Sequence, residues 1–143
     1  MKYLVPLMAA FALLFVACDG GSATTQDPGD LESQVMAIHD EVMPKMGEVN
    51  RLSQELRKEI DAQQARGDAS EAQMAEMQEA VDQLSQANEA MSSWMRNYSR
   101  DYVKEKEHMT EEERIAYLQH ELDRVEQVKT TILESIEQAK SIK

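Results

Sequence analysis

The stretch that decides the fold is Met74-AEMQEAVDQLSQANEAMSSWMRNYSRD-Tyr102. Met74, Met77, Val81, Leu84, Asn88, Met91, Met95, Tyr98 and Tyr102 alternate intervals of three and four residues without a break. That spacing puts every member on one side of a helix and is the seam of a helical bundle or coiled coil. Asn88 is the one polar member, and a buried Asn at such a position fixes register at a cost in stability.

The same period runs on either side. Upstream, Leu31, Val35, Ile38, Val42, Met46, Val49, Leu52, Leu56 and Ile60 form a second stripe, with Asp30 as N-cap and Gly67 as the C-terminal stop. Asp68 with Glu71 has the form of a capping box that opens the middle helix. Downstream, Lys104–Met109 is a charged break, and Thr110 with Glu113 makes another capping box. The last helix turns Ile115, Leu118, Leu122, Val125, Ile132, Ile136 and Ala139 inward, with Val128 rather than Lys129 making the contact between them. The expected helices cover about 31–66, 69–102 and 111–142, each on the order of 50 Å long. Equal rods with short connections pack as antiparallel neighbours. The expectation is therefore all-α: an up-down-up three-helix bundle over residues 31–143 with coiled-coil-like packing. A helical hairpin completed by a second chain would carry the same seams.

Composition agrees. The chain has 143 residues, 42% of them hydrophobic but only 5% aromatic, and few Gly or Pro, a profile of long helices rather than sheet. It carries 15 basic and 27 acidic side chains, a formal charge of −12. Such a surface repels nucleic acid, whose binding needs Lys and Arg to displace counterions. It offers no attraction to anionic lipid either.

The N-terminus reads MKYLVPLMAAFALLFVACDGG. Lys2 precedes an apolar run ending at Ala17, shorter than the roughly 20 residues of a membrane span and suited to a secretory signal peptide over 1–17. Phe15-Val16-Ala17-Cys18 resembles the bacterial lipobox, although Phe15 replaces the usual Leu. The resemblance implies cleavage before Cys18 and acyl chains (palmitate-like) on that cysteine, the only one in the chain. Several acyl chains on one residue give stable anchoring. Residues 18–30 then read as lipidated Cys and flexible tether. The implied address is the cell envelope: the outer membrane, on its periplasmic or surface face, or the inner membrane, which Asp19 alone does not decide between.

Pro44 lies inside the first helix and should kink it, because it supplies no N–H to the carbonyl four residues back. Met36, His39, Met43 and Met46 form a stripe beside the main seam. With turns near residues 67 and 106, Met43 is level with Ser92, His39 with Arg96, Met95 with Tyr117 and Ser92 with His120. One slice would then gather His39, Met43, Met46, Met91, Trp94, Met95, Tyr117 and His120. Thioethers with imidazole suit Cu(I), so His39, Met43, Met46, Met91 and Met95 are candidate metal ligands, although Met at helical spacing is more often core. Trp94, Tyr98, Tyr102 and Tyr117 are candidate contacts for a partner helix.

No catalytic constellation is present. His39-Asp40-Glu41 are adjacent and do not share a helix face, and the three long helices lack the paired Glu-x-x-His of carboxylate-bridged metal bundles. Arg66-Gly67-Asp68 spells an adhesion tripeptide, but a Gly cap followed by an Asp N-cap explains it.

AIHDEVMPKMGEV (37–49) and ANEAMSSWMRNY (87–98), with the lipobox, resemble small helical lipoproteins of Bacteroidota that are often labelled viral A-type inclusion proteins. The resemblance covers the signal and the first two helices. It implies the address and the fold, and brings no activity or catalytic residue with it. The expected function is a non-enzymatic, membrane-anchored envelope lipoprotein without cofactor, acting as a structural and protein-interaction module through self-association or a protein partner. A Cu(I)-binding module built on the Met/His cluster is the alternative.

Overall fold

The computed structural model describes residues 27–67 and 70–142; the expected signal peptide, Cys18 and Asp68 of the expected capping box lie outside them. The described chain is all-α. Its elements are α1 (Pro28–Val42), a 3-10 turn (Met43–Lys45), α2 (Met46–Arg66), α3 (Glu71–Tyr98), a π-helical turn (Ser99–Val103), a 3-10 turn (Lys106–His108) and α4 (Glu111–Ser141). α1 and α2 form the first of three rods that pack up, down and up. The first and last rods run parallel, as two ion pairs advancing together record: Glu41–Lys129 and Glu48–Lys140, at 2.7 and 2.8 Å.

The ends of the rods follow capping chemistry. α1 begins earlier than expected, because Asp27 rather than Asp30 is the N-cap: its carboxylate accepts from Gly29 N–H, and Pro28 occupies the first turn, where a missing N–H costs nothing. Gly67 closes α2 in the left-handed conformation at φ 69°, which a side chain would strain. Ser70, not Asp68, caps α3 by accepting from Gln73 N–H. Thr110 and Glu113 form the expected reciprocal capping box of α4. The Arg66-Gly67 half of the adhesion tripeptide is thus a helix end.

One continuous core joins the rods. Leu31, Val35, Val42, Val49, Leu52, Leu56 and Ile60 are buried from the first rod, and Leu118, Val125, Ile132, Ile136 and Ala139 from the last. Lys129 points outward to Glu41 while Val128 packs against the core. Two expectations need correction. The middle seam does not run through Asn88, which is exposed; Ala87 is buried instead, and Trp94 takes the inward place assigned to Met95. The buried positions Met77, Ala80, Leu84, Ala87, Met91, Trp94 and Tyr98 still alternate three and four, so the inward face is turned by one residue at every second position of the expected stripe while Met77, Leu84, Met91 and Tyr98 stay on it. In α4, Glu121 rather than Leu122 is fully buried.

Pro44 interrupts the first rod with a 3-10 turn and marks a change of partner. After it, α2 packs closely on α3; before it, α1 packs closely on α4. The extra width between α1 and α3 accommodates large side chains. At the level of Glu32, in the first turns of α1, α3 has given way to its π turn, so Tyr102 does not end a regular α-helix as expected. Tyr98 and Tyr102, four residues apart, both face inward as the seam requires.

Candidate functional site

Five rings run in contact through the half of the bundle that holds α1. His39 lies on Trp94 at 5.6 Å between centroids, Trp94 on Tyr98 at 5.1 Å, Tyr98 on Tyr102 at 5.3 Å and Tyr102 on Tyr117 at 5.4 Å. Each offset or tilted pair contributes on the order of 1 kcal/mol beyond its buried area. Trp94, Tyr98 and Tyr102 are at most 5% exposed. They are therefore core, and the expectation that they serve as partner contacts is corrected; Tyr117 is half-buried at the edge.

The ladder fixes the register. His39 meets Trp94, within a turn of the expected Arg96. Tyr117 meets Tyr102 instead of Met95, because the connection between the second and third rods extends to Thr110 and its pivot lies beyond residue 106. This shift leaves His120 exposed and outside the slice.

Polar groups at the inner end of the ladder are only partly satisfied. Glu32 accepts the Tyr102 hydroxyl at 3.1 Å and the Lys106 ammonium at 2.9 Å, and Lys106 lies 5.7 Å from the Tyr102 ring centroid. The Glu32 carboxylate accordingly holds the Lys106 ammonium to higher pH than usual. Glu121, fully buried, accepts from Arg124 through Oε1 at 2.8 Å. Its Oε2, the hydroxyls of Tyr98 and Tyr117 and the indole Nε1 of Trp94 are buried without hydrogen-bond partners among the described residues. Burial pushes the Tyr98 and Tyr117 phenols up, Tyr117 to about 12, with the Glu121 carboxylate adding to both; no hydrogen bond of good geometry joins Glu121 to Tyr117. Sequence reasoning missed Glu121. Its signal was Arg124 three residues on, a helical neighbour able to carry a carboxylate inward.

The expected metal residues fall into two groups. Met91 is 1% exposed and belongs to the core column. Met36, Met43, Met46 and Met95 are partly buried against it. The His39 side chain, 16% exposed, holds Asp40 Oδ1 at 2.8 Å through Nδ1. Among the described residues no three His, Cys, Asp or Glu side chains converge as a metal site. The spacing Glu105-x-x-His108 does occur, in the 3-10 turn between rods, where both side chains are exposed. A single such pair off the helices does not make a dimetal site.

No family model, curated protein or solved structure matches the chain.

Proposed function

We propose that the chain is a lipid-anchored envelope protein whose bundle acts without catalysis, as a rigid acidic spacer that presents itself to a protein partner or a second copy. The observation that carries this reading is the lipobox-like Phe15-Val16-Ala17-Cys18 lying only a few residues before the Asp27 cap, where the first rod begins. Acyl chains on Cys18 would hold one end of the bundle at a bilayer, and the 39 residues from Pro28 to Arg66 would set the Gly67 end about 60 Å away. No helix among the described residues is long and apolar enough to cross a membrane. The resemblance of residues 37–49 and 87–98 to Bacteroidota lipoproteins supports the same address.

The surface suits charge-led recognition. Val103 and Leu133 are the exposed large hydrophobic side chains of the described residues, at 49% and 40%. A partner would meet mainly carboxylates, giving fast, salt-sensitive association. A palmitate analogue fed to cells making the protein tests the anchor: label should be lost in Cys18→Ser and the protein released from the membrane fraction. Label or membrane retention unchanged by Cys18→Ser would remove the anchor from this reading.

A further inference from the structure

We propose that Met36 and His39 of α1 and Met43, the first residue of the 3-10 turn that follows it, form a site for a single soft monovalent metal ion, Cu(I), where His39 meets Trp94 of α3. The inference stands apart from the lipid anchor. Positions i, i+3 and i+7 lie on one helix face, with neighbouring Cβ atoms about 5–6 Å apart, so His39 sits between two flexible thioethers. Both methionines are partly buried, near enough to the surface for an ion to enter and dry enough to favour soft donors over water. Two thioethers and a neutral imidazole select Cu(I) among biological metals.

Two observations distinguish His39 from a histidine that merely fills a surface. Its Nδ1 is held by Asp40 at 2.8 Å. A carboxylate can only accept, so in the neutral ring this bond puts the proton on Nδ1 and the lone pair on Nε2, the arrangement in which a carboxylate orients a ligating imidazole. Its ring is also braced at 5.6 Å on Trp94, itself 2% exposed and the first rung of the ladder. Both restraints fix the ring plane before any ion arrives, which lowers the ordering cost of binding. The formal charge of −12 draws cations toward the protein. Met91 packs in the core column and is not a ligand in this scheme.

The chain contains one tryptophan, Trp94, so an ion on His39 has a built-in reporter. Full-length protein in detergent, titrated anaerobically with Cu(I) against a competing chelator, should bind one equivalent and quench Trp94 fluorescence. Met36→Leu and Met43→Leu should each weaken binding at least tenfold. Asp40→Asn should weaken it by roughly 10–100-fold, and Met91→Leu should not change it. Failure to compete with the chelator, or unchanged affinity in a helical Met36→Leu/Met43→Leu double variant, overturns the proposal. If the double variant loses its helical signal, the wild-type protein decides. Titration with Ag(I), a redox-inert substitute, should move the Met36 and Met43 methyl resonances and leave that of Met74 in place; the reverse pattern, or no movement, overturns it.

Discussion

The hydroxyl of Tyr102 donates to the carboxylate of Glu32 across 70 residues of sequence, at 3.1 Å. This bond, with Lys106 on the other carboxylate oxygen, ties the first turns of α1 to the π turn at the end of the middle rod. It closes the end of the bundle from which the N-terminal segment leaves. Glu32→Gln keeps the shape and loses the ion pair; Glu32→Ala also leaves the buried Tyr102 hydroxyl without its acceptor. We expect Glu32→Ala to cost about 1–3 kcal/mol in urea unfolding, and Glu32→Gln less. Amide exchange should accelerate first in residues 28–35.

Alkaline pH should unfold the ladder. The phenols of Tyr98 and Tyr117 are raised in the folded state, chiefly by burial. A raised group contributes stability that is complete below its unfolded value near 10 and lost as pH climbs through the folded value, about 12 for Tyr117. Helical circular dichroism should therefore hold to about pH 10 and fall above it, together with the rise of tyrosinate absorbance. Tyrosinate forming well before any loss of helix would contradict the buried ladder.

Glu121 places a carboxylate in a largely apolar column, with one oxygen unpartnered. Replacing a buried ion pair by a packed apolar side chain is often neutral or stabilising by about 1–4 kcal/mol. Arg124 is about one-third exposed and can be solvated without its partner. Glu121→Leu should thus raise the melting temperature. A clear loss of stability would mean that Glu121 makes interactions the described geometry lacks.

Ala87 and Asn88 separate the two versions of the middle seam. Asn88→Ala, on the exposed face, should change stability by no more than about 0.5 kcal/mol. Ala87→Leu forces added volume into a fully buried position and should cost about 1–3 kcal/mol. Equal effects of the two substitutions would return the seam to Asn88.

The rods, their order and most of their inward faces were legible because apolar spacing is a one-dimensional signal. Leu31, Val35, Val42, Val49 and Leu52 in the first rod, and Leu118, Val125 and Ile132 in the last, follow from period alone. The Thr110–Glu113 cap, the Gly67 stop and the interruption at Pro44 are local backbone chemistry and were legible too. Ambiguity among competing local caps hid the starts: Asp27, Asp30, Asp68 and Ser70 are all acceptable capping residues, and the hydrogen bonds to Gly29 and Gln73 N–H identify Asp27 and Ser70.

What the chain alone determined is three amphipathic rods of similar length, since helix period and capping depend only on neighbours in sequence. Which side chains meet was decided in three dimensions. The connection reaching to Thr110 slides the third rod along the second and sets Tyr117 on Tyr102 instead of beside Met95, and the rotation of the middle rod about its own axis turns Trp94 inward and Asn88 outward. Periodicity is unchanged by a slide along the rod axis, so only interlocking of large side chains between rods could choose among the possible alignments.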